Sequence, residues 1–392
     1  MALHGRFSRF QLSFRQLDAV YRPGDLLAGQ LEIELAQPIT LKAIKLQFKG
    51  RAAWAADAKK QAGLELVYFD REFTLLERPP GRNPGDFPWH ANRVYHLPFE
   101  CPLPKHCPTS YEGANSHIRY FCRVILEQTH PIPLTFVCKR PFTLLAPPPL
   151  AFDSTLLQPV GASEVVTVGS ACCRGKVTAE VTLTKGCFVA GETIFGSVMV
   201  NNKQSRESVE SIECRLVDRT VNLQSGVPSE PRILAQRQLD KSSVQTKTVF
   251  SRDSLALIQV PPVAPSTPTI LESVGEQLLQ HNANYGSLVP NGTLNRANLK
   301  PLFRIEYLLQ VLCGPKLMVT MPVVVGNIPL SKEDNAPVAT GQKEFVLGPQ
   351  NIAEPNDEDK KLIGSMSFAP VYPVFESKSG VPVIDGHTNG AA

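Results

Sequence analysis

Two stretches of this chain, 167 positions apart, carry the same pattern of aromatic, glycine, acidic and aliphatic residues. The pattern is aromatic-x-x-Gly-acid-x-aliphatic-x-Gly-x-aliphatic-x-aliphatic. The paired positions are Tyr21/Phe188, Gly24/Gly191, Asp25/Glu192, Leu27/Ile194, Gly29/Gly196, Leu31/Val198 and Ile33/Val200. A Gly-acid turn followed by strict alternation is typical of a turn that leads into a β-strand. The repeat therefore predicts two copies of one β-sandwich.

A second strand pattern is also duplicated. Over residues 118–126 apolar side chains alternate with others that include Arg119 and Arg123, and a later strand with the same alternation carries Tyr307 where this one carries Tyr120. Period-two alternation with aromatic and β-branched residues indicates a strand with one buried face. We expect the two tyrosines in the core and both arginines in contact with water.

The composition suits two globular domains. The chain has 392 residues, of which 43% are hydrophobic and 19% charged, with a formal net charge of +4. Its longest apolar run falls far short of the roughly 20 residues that a membrane helix needs. The first residues, MALHGRFSRF, lack the apolar region of a signal peptide. We expect a soluble, cytosolic protein.

Neither metal binding nor a cofactor is predicted. The nine cysteines are an odd number scattered through strand-like segments, which indicates buried apolar residues and not a disulfide framework. Cys101 and Cys107 do not have the spacing of a zinc site. Asp25 and Glu192 are interpreted as acids that cap turns, and no nucleophile motif lies near the histidines. We predict no enzyme activity.

These motifs resemble the arrestin-domain family, in its α-arrestin (arrestin domain-containing protein) branch. The resemblance covers about residues 5–330 and rests on Y-x-P-G-D, on L-P-x-x-x-P followed by E-G and I-R-Y, and on F-V-A-G-E. The residues that carry these motifs, for which the resemblance implies structural roles, are Gly24, Asp25, Gly29, Pro104, Pro108, Glu112, Gly113, Arg119, Tyr120, Gly191, Glu192, Gly196 and Tyr307.

The resemblance implies an all-β protein with two tandem immunoglobulin-like sandwiches and no active site. It also implies an adaptor that links membrane-protein cargo tails to sorting or ubiquitin-ligase proteins, in the cytoplasm and recruited to the plasma membrane or endosomes. Other arrestins are further implied partners, and no nucleic acid is expected. The alternative is a cytosolic signalling or redox-regulatory binding protein that recruits no ligase.

The chain departs from the family pattern at several places. Ser116 stands where the family usually has glycine, and residues 130–132 read His-Pro-Ile where an R-P-W is common. No arginine-centred segment for sensing receptor phosphate is recognisable. Residues 269–302 form an insert whose leucines and valine fit either one amphipathic helix, packed locally or on lipid, or a disordered loop.

Domain boundaries follow from these patterns. We predict a first sandwich over 1–145, a linker over 146–169, a second sandwich over 170–330 and a disordered acidic tail over 331–392. Counting Lys and Arg against Asp and Glu, residues 1–150 carry +6, residues 151–330 carry +2 and the tail carries −4. The basic first part favours an anionic membrane surface or an acidic peptide, although a solvated surface without a partner explains it at least as well.

The tail lacks the P-P-x-Y motif by which α-arrestins recruit WW-domain ubiquitin ligases. The nearest match is Ala369-Pro370-Val371-Tyr372, which has no first proline. Pro370 and Tyr372 are thus the candidate ligase-docking residues. The alternative is that residues 368–375 form a short extended segment laid back on one of the domains.

Overall fold

The computed structural model describes residues 6–54, 64–83, 87–105, 107–130, 132–146, 154–169, 174–267, 301–326 and 370–375, and the backbone of 345–349. Within these residues the protein consists of β-strands and one 3₁₀ helix, Ser154–Leu157. The first half contains β1 (Phe7–Phe14), β2 (Val20–Tyr21), β3 (Leu26–Leu35), β4 (Ile39–Trp54), β5 (Leu64–Glu77), β6 (Pro88–Trp89), β7 (Val94–Pro102), β8 (Tyr111–Glu112), β9 (Ser116–His130) and β10 (Leu134–Leu144).

The first half is a two-layer sandwich. One sheet has the order β1-β3-β7, and the other has the order β2-β10-β9-β4-β5, with β6 beside β4 and β8 beside β9. The pairing of β2 with β10 is parallel and joins Val20 to Thr143. The remaining described pairings of this sandwich are antiparallel.

The second half repeats this topology. Its strands are β11 (Val160–Val168), β12 (Gly175–Leu183), β13 (Cys187–Val189), β14 (Thr193–Asn201), β15 (Ile212–Asn222), β16 (Arg232–Asp240), β17 (Val249–Gln259), β18 (Phe303–Cys313) and β19 (Leu317–Gly326). The sheets have the orders β11-β12-β14-β17 and β13-β19-β18-β15-β16. Strand for strand, β12-β14-β17 matches β1-β3-β7, and β13-β19-β18-β15-β16 matches β2-β10-β9-β4-β5. The two-sandwich prediction is confirmed, and β11 is a strand with no counterpart among the described residues of the first half.

The inward faces form the cores as the alternation predicted. In β9, Tyr120, Cys122 and Val124 have no exposed surface, and in β18 Tyr307 and Leu309 are buried in the same way. Successive side chains of a strand point to opposite sheet faces, so a period of two places every second residue in the core.

The predicted linker is too long. Only part of residues 146–169 connects the sandwiches, because β11 pairs antiparallel with β12 from Val160↔Leu183 to Val168↔Gly175. The second sandwich therefore begins at Val160. The three consecutive prolines at 147–149 suggested an extended linker, but the composition of that stretch does not determine where the next strand begins.

The tail is not disordered throughout, contrary to the prediction. β20 (Phe345–Pro349) pairs antiparallel with β21 (Val371–Phe375). Residues 370–375 are extended and lie against the first sandwich, where Val371 and Tyr372 donate hydrogen bonds to Thr143 and Ser110, as the alternative of a segment laid back on a domain predicts. The rest of the predicted tail, and residues 268–300 of the predicted insert with its possible amphipathic helix, lie outside the described residues.

Membrane crossing by a helix finds no support, since no helix in the described part of the chain is long and apolar enough for it.

A candidate functional site at the junction of the two sandwiches

The repeated Gly-acid turns have one geometry. Asp25 Oδ2 accepts a hydrogen bond from the backbone N–H of Arg22 at 2.7 Å. Glu192 Oε2 accepts one from the N–H of Val189 at 3.1 Å. Each carboxylate closes its own turn, and the two acids lie in different sandwiches. They do not form a catalytic pair.

The backbone geometry at the repeated positions requires glycine. Gly24 and Gly191 have φ angles of +92° and +90°, a left-handed conformation that side chains disfavour. The carbonyl of Pro104 accepts a hydrogen bond from the Gly24 N–H at 3.2 Å. Gly29 and Gly196 lie in β3 and β14, where a Cβ atom would clash with a carbonyl oxygen of the neighbouring strand. These residues hold the two copies of the fold in shape.

Each sandwich contains one buried tyrosine that donates a hydrogen bond from an equivalent position. The hydroxyl of Tyr120 donates to the carbonyl of Pro108 at 2.6 Å, and that of Tyr307 donates to the carbonyl of Ala264 at 2.6 Å. Both tyrosines lie on the central strands β9 and β18. Burial raises the pKa of both phenols well above the usual value, so they act as hydrogen-bond donors.

The end of β9 carries a buried ion pair. Arg119 Nε and Nη2 donate to the two carboxylate oxygens of Glu112 at 2.5 and 2.8 Å. The two side chains are only 9% and 2% exposed. The expectation that Arg119 reaches water is wrong, because this end of the sheet faces the second sandwich. Gly113, next to Glu112, closes the turn into β9 by donating from its N–H to the carbonyl of Ser116 at 2.8 Å.

The second sandwich places a matching ion pair against the first. Arg232 on β16 donates to Asp218 on β15 at 2.6 and 3.1 Å. The same guanidinium donates to the backbone carbonyl of Glu112 at 2.8 Å, and Tyr111 donates to Asp218 at 3.0 Å. The group formed by Tyr111, Glu112, Arg119, Asp218 and Arg232 is called the junction cluster below.

Further contacts close the junction around this cluster. The hydroxyls of Ser116 and Thr220 lie 2.9 Å apart. The ring of Phe303, at the start of β18, lies 6.0 Å from that of Trp54 and 5.9 Å from that of Tyr111. The two carboxylates and two guanidiniums of the junction cluster balance in charge, and a paired charge is the form in which an ion tolerates burial.

The candidate ligase-docking residues also lie at this junction. Pro370 is buried, and Tyr372 has no exposed surface. The Tyr372 hydroxyl donates to the carbonyl of Ser110 at 2.8 Å. Burial, followed by the charge of Glu112, raises its pKa well above the usual value. In this conformation neither residue is accessible to a WW domain.

A partly buried histidine, His117, lies beside the cluster. Burial first, and then the charges of Arg119 and Arg51, lower the pKa of His117 to about 3. The imidazole is therefore neutral at physiological pH and adds no third positive charge to Arg119 and Arg51.

The thiols of the described residues are buried and unreactive. All seven free cysteines there are buried, and burial raises the pKa of Cys107 and Cys214 to about 12. A thiolate is the nucleophile and the metal ligand, so these sites favour neither chemistry. The described residues also contain no group of three or more side chains that could hold a metal ion.

Sequence reasoning missed Asp218 and Arg232. A signal was present, since Asp218 falls in the alternating set of β15 that buries Ile212, Cys214 and Leu216. A carboxylate in the apolar phase of a strand requires a buried cation, but the partner on β16 is set by strand register and not by spacing along the chain.

Comparisons with known proteins agree with this architecture. The family model of the arrestin (or S-antigen) C-terminal domain matches residues 173–330, and that of the arrestin N-terminal domain matches residues 91–149. The chain is 24% identical to arrestin domain-containing protein 17 of Caenorhabditis elegans over 441 residues, covering 94% of this chain and 99% of that protein.

Two mammalian relatives are similarly distant. Arrestin domain-containing protein 1 of Rattus norvegicus is 25% identical over 369 residues, covering 92% of this chain and 74% of the relative. Arrestin domain-containing protein 4 of Mus musculus is 25% identical over 358 residues, covering 83% and 74%. With an N-terminal and a C-terminal arrestin domain in tandem, the chain belongs to the arrestin family, in the branch of arrestin domain-containing proteins, the α-arrestins.

Proposed function

We propose that this protein is a non-catalytic adaptor in membrane-protein trafficking, which binds cargo tails and links them to sorting machinery. Arrestin-domain proteins form a family of trafficking adaptors and scaffolds. The junction cluster supports this role, because a scaffold must hold two binding surfaces in a fixed relation.

The observation that carries the proposal is the free edge of β11. This nine-residue strand contains one charged side chain, Glu164, and Val165 is 56% exposed. Among the described residues no strand pairs with the side of β11 that faces away from β12. An edge of this length with a single charged side chain presents N–H and C=O groups to which an extended cargo peptide can add as a further strand.

The corresponding edge of the first sandwich is partly closed. Arg140 donates to the backbone carbonyl of Leu12 at 2.8 Å, in the middle of β1. A side chain that occupies the backbone groups of an edge strand hinders the addition of another strand. The contrast between the two copies points to β11 as the cargo edge.

Adjacent proline substitutions test this edge. In a strand, neighbouring N–H groups point to opposite sides, so one of Val165→Pro and Val166→Pro removes a hydrogen bond to β12 and the other removes only an outward N–H. Melting temperature identifies the outward variant as the more stable one. We expect that variant to lose membrane proteins from a proximity-labelling experiment in which the wild type enriches them.

Two results would contradict the proposal. The first is a wild-type labelling profile without membrane or sorting proteins. The second is an outward proline variant whose labelled proteins match those of the wild type, which would remove β11 as the cargo edge.

Recruitment of a ubiquitin ligase has less support in this chain than cargo binding. Burial of Tyr372 favours the alternative, an adaptor that recruits no ligase directly, while the buried thiols give no support to a redox role. We propose a cytoplasmic protein recruited to the plasma membrane or endosomes, and fluorescence microscopy of the tagged chain with organelle markers tests this location. A uniform cytosolic or nuclear signal would contradict it.

A further inference from the structure

The tail strand β21 contacts both sandwiches at their junction. The Val371 N–H donates to Thr143 Oγ1 of the first sandwich at 3.1 Å. The Phe375 N–H donates to the carbonyl of Ala190 of the second at 2.9 Å. Between these two bonds Tyr372 inserts its ring completely and donates to Ser110. A segment of six residues, 370–375, is thus held at three points by two domains.

Tyr372 is the anchor of this contact. An aromatic side chain buries roughly 150–250 Å² when it is removed from water, more than the neighbouring valines. Its hydroxyl faces a carbonyl, which can only accept a hydrogen bond, so the neutral phenol fits and a phosphorylated one does not. The junction therefore distinguishes tyrosine from phenylalanine by one buried hydrogen bond.

The duplication supplies an internal comparison for the other end of the strand. A Cβ atom on Gly191 would lie 2.5 Å from the carbonyl oxygen of Phe375 and 2.7 Å from a methyl group of Val374. On Gly24, which has the same φ, the nearest atom would be Lys105 Cγ at an ordinary 3.6 Å. The same turn is open in the first sandwich and covered by β21 in the second.

We propose that the junction is a binding site for an extended peptide with a proline-flanked tyrosine, and that the chain fills this site with its own residues 370–375. A ligand from another protein would need the same chemistry: an extended backbone, a neutral tyrosine flanked by prolines and aliphatic neighbours. Because Pro370 and Tyr372 are also the residues that a WW domain would contact, occupancy of the junction and WW docking exclude each other. The proposal goes beyond the adaptor role and does not depend on it.

Hydrogen exchange on the full-length protein tests the contact of β21 with its own chain. We expect slow exchange of the Val371 and Phe375 amides in the wild type. Gly191→Ala should accelerate this exchange by at least about tenfold, which corresponds to roughly 1.4 kcal/mol. Gly24→Ala is the matched control, since it introduces the same backbone strain without touching β21, and should leave the exchange of both amides unchanged.

A fluorescent peptide with the sequence of residues 369–376 tests the site itself. The wild type should bind it weakly, because the site is occupied, and full-length Tyr372→Ala should bind it at least about tenfold more tightly. The same peptide with phenylalanine for tyrosine should bind that variant about tenfold more weakly, and with alanine not measurably. Circular dichroism and melting temperature establish that Tyr372→Ala remains folded.

Capture by a WW domain tests whether occupancy of the junction and WW docking exclude each other. In a background of Ala369→Pro, which completes the P-P-x-Y motif, addition of Gly191→Ala should raise capture by a purified WW domain about tenfold, and addition of Gly24→Ala should not.

Three outcomes overturn the proposal. The first is equal amide exchange in Gly191→Ala and Gly24→Ala. The second is peptide binding by Tyr372→Ala that is no tighter than binding by the wild type, or that does not depend on the tyrosine of the peptide. The third is capture by the WW domain that Gly191→Ala does not change.

Discussion

Arg119→Ala removes one half of a buried ion pair and leaves the Glu112 carboxylate without its hydrogen-bonding partner, with only the more distant charge of Arg232 nearby. The Glu112 carboxylate is 2% exposed and would lose hydrogen bonds of 2.5 and 2.8 Å. Removing one partner of a buried pair typically costs about 3–5 kcal/mol, because the remaining charge stays out of water. An exposed arginine at this position would have cost at most about 1 kcal/mol.

Lys42→Ala is the matched control. Lys42 Nζ lies 2.8 Å from Glu127, as close as the buried pair, but the lysine side chain is 56% exposed. Water and salt screen such a pair, so we expect a loss of about 0.2–1 kcal/mol. The two variants differ in the burial of the pair that they break, and in that Glu127 keeps Lys45 at 3.6 Å when Lys42 is removed. Both differences make the expected loss smaller for Lys42→Ala.

Urea denaturation measures both losses. The two tryptophans report from different places, since Trp54 packs at the junction against Phe303 and Trp89 packs in the first sandwich against Tyr95. The free energy of unfolding falls by about 1–3 kcal/mol per molar urea. Arg119→Ala should therefore lower the urea midpoint reported by Trp54 by about 1 M or more, and Lys42→Ala should lower it by well under 1 M.

A double variant completes this prediction. Glu112→Leu combined with Arg119→Met removes both charges and should recover most of the loss, because apolar replacement of a buried pair is often neutral. The reasoning is refuted if Arg119→Ala costs no more than Lys42→Ala, or if the double variant is as unstable as the single one.

Three other substitutions follow from the same contacts. Tyr120→Ala should cost about 3–5 kcal/mol of unfolding free energy, and Tyr120→Phe about 1–3 kcal/mol because the Pro108 carbonyl loses its buried donor. Equal losses for the two variants in a thermal melt would show that the hydroxyl, and not the buried ring, provides the stability. The unfolded state binds a proton at His117 near pH 6.5 whereas the folded state does so near pH 3, so stability contributed by this residue is complete above pH 6.5 and falls as the pH drops toward 3, by at most about 1.4 kcal/mol per unit. The difference in stability between wild type and His117→Gln, measured from pH 7 to pH 4, should change in that direction, and a constant difference would contradict it. Asp25→Ala and Glu192→Ala should each cost about 0.5–1.5 kcal/mol, with the loss in the sandwich that contains the turn, as read by domain-resolved hydrogen exchange; a loss spread over both sandwiches would argue against local turn closure.

The sequence predicted the parts of the fold that depend on local pattern. The strands predicted from the repeated motif lie within β3 and β14, the one predicted over 118–126 lies within β9, and the later one that carries Tyr307 is β18. Tyr120 has the buried phase that its neighbours required, because alternation along one strand is enough to assign a face.

The sequence-based predictions were wrong where contact with a distant segment of the chain determines burial or strand formation. Arg119 was expected in water because only its own sheet entered the argument, whereas the second sandwich covers that end of β9. Tyr372 lies in a segment whose composition predicts disorder, and two domains order it by contact. β11 contains a glycine and scattered polar residues, so its strand identity rests on pairing with β12.

The parallel pairs that close each sandwich have a consequence for the order of folding during synthesis. Val20 of β2 pairs with Thr143 of β10, about 120 residues later, and Cys187 of β13 pairs with Val324 of β19, about 140 residues later. Contacts between such distant positions form slowly, since a long loop must close first. At a synthesis rate of about 5–20 residues per second, each half waits about 6 to 28 seconds with an unpaired strand exposed. The nascent chain is thus most prone to aggregation before residues 144 and 326 leave the ribosome, and this exposure argues for chaperone contact in those two intervals.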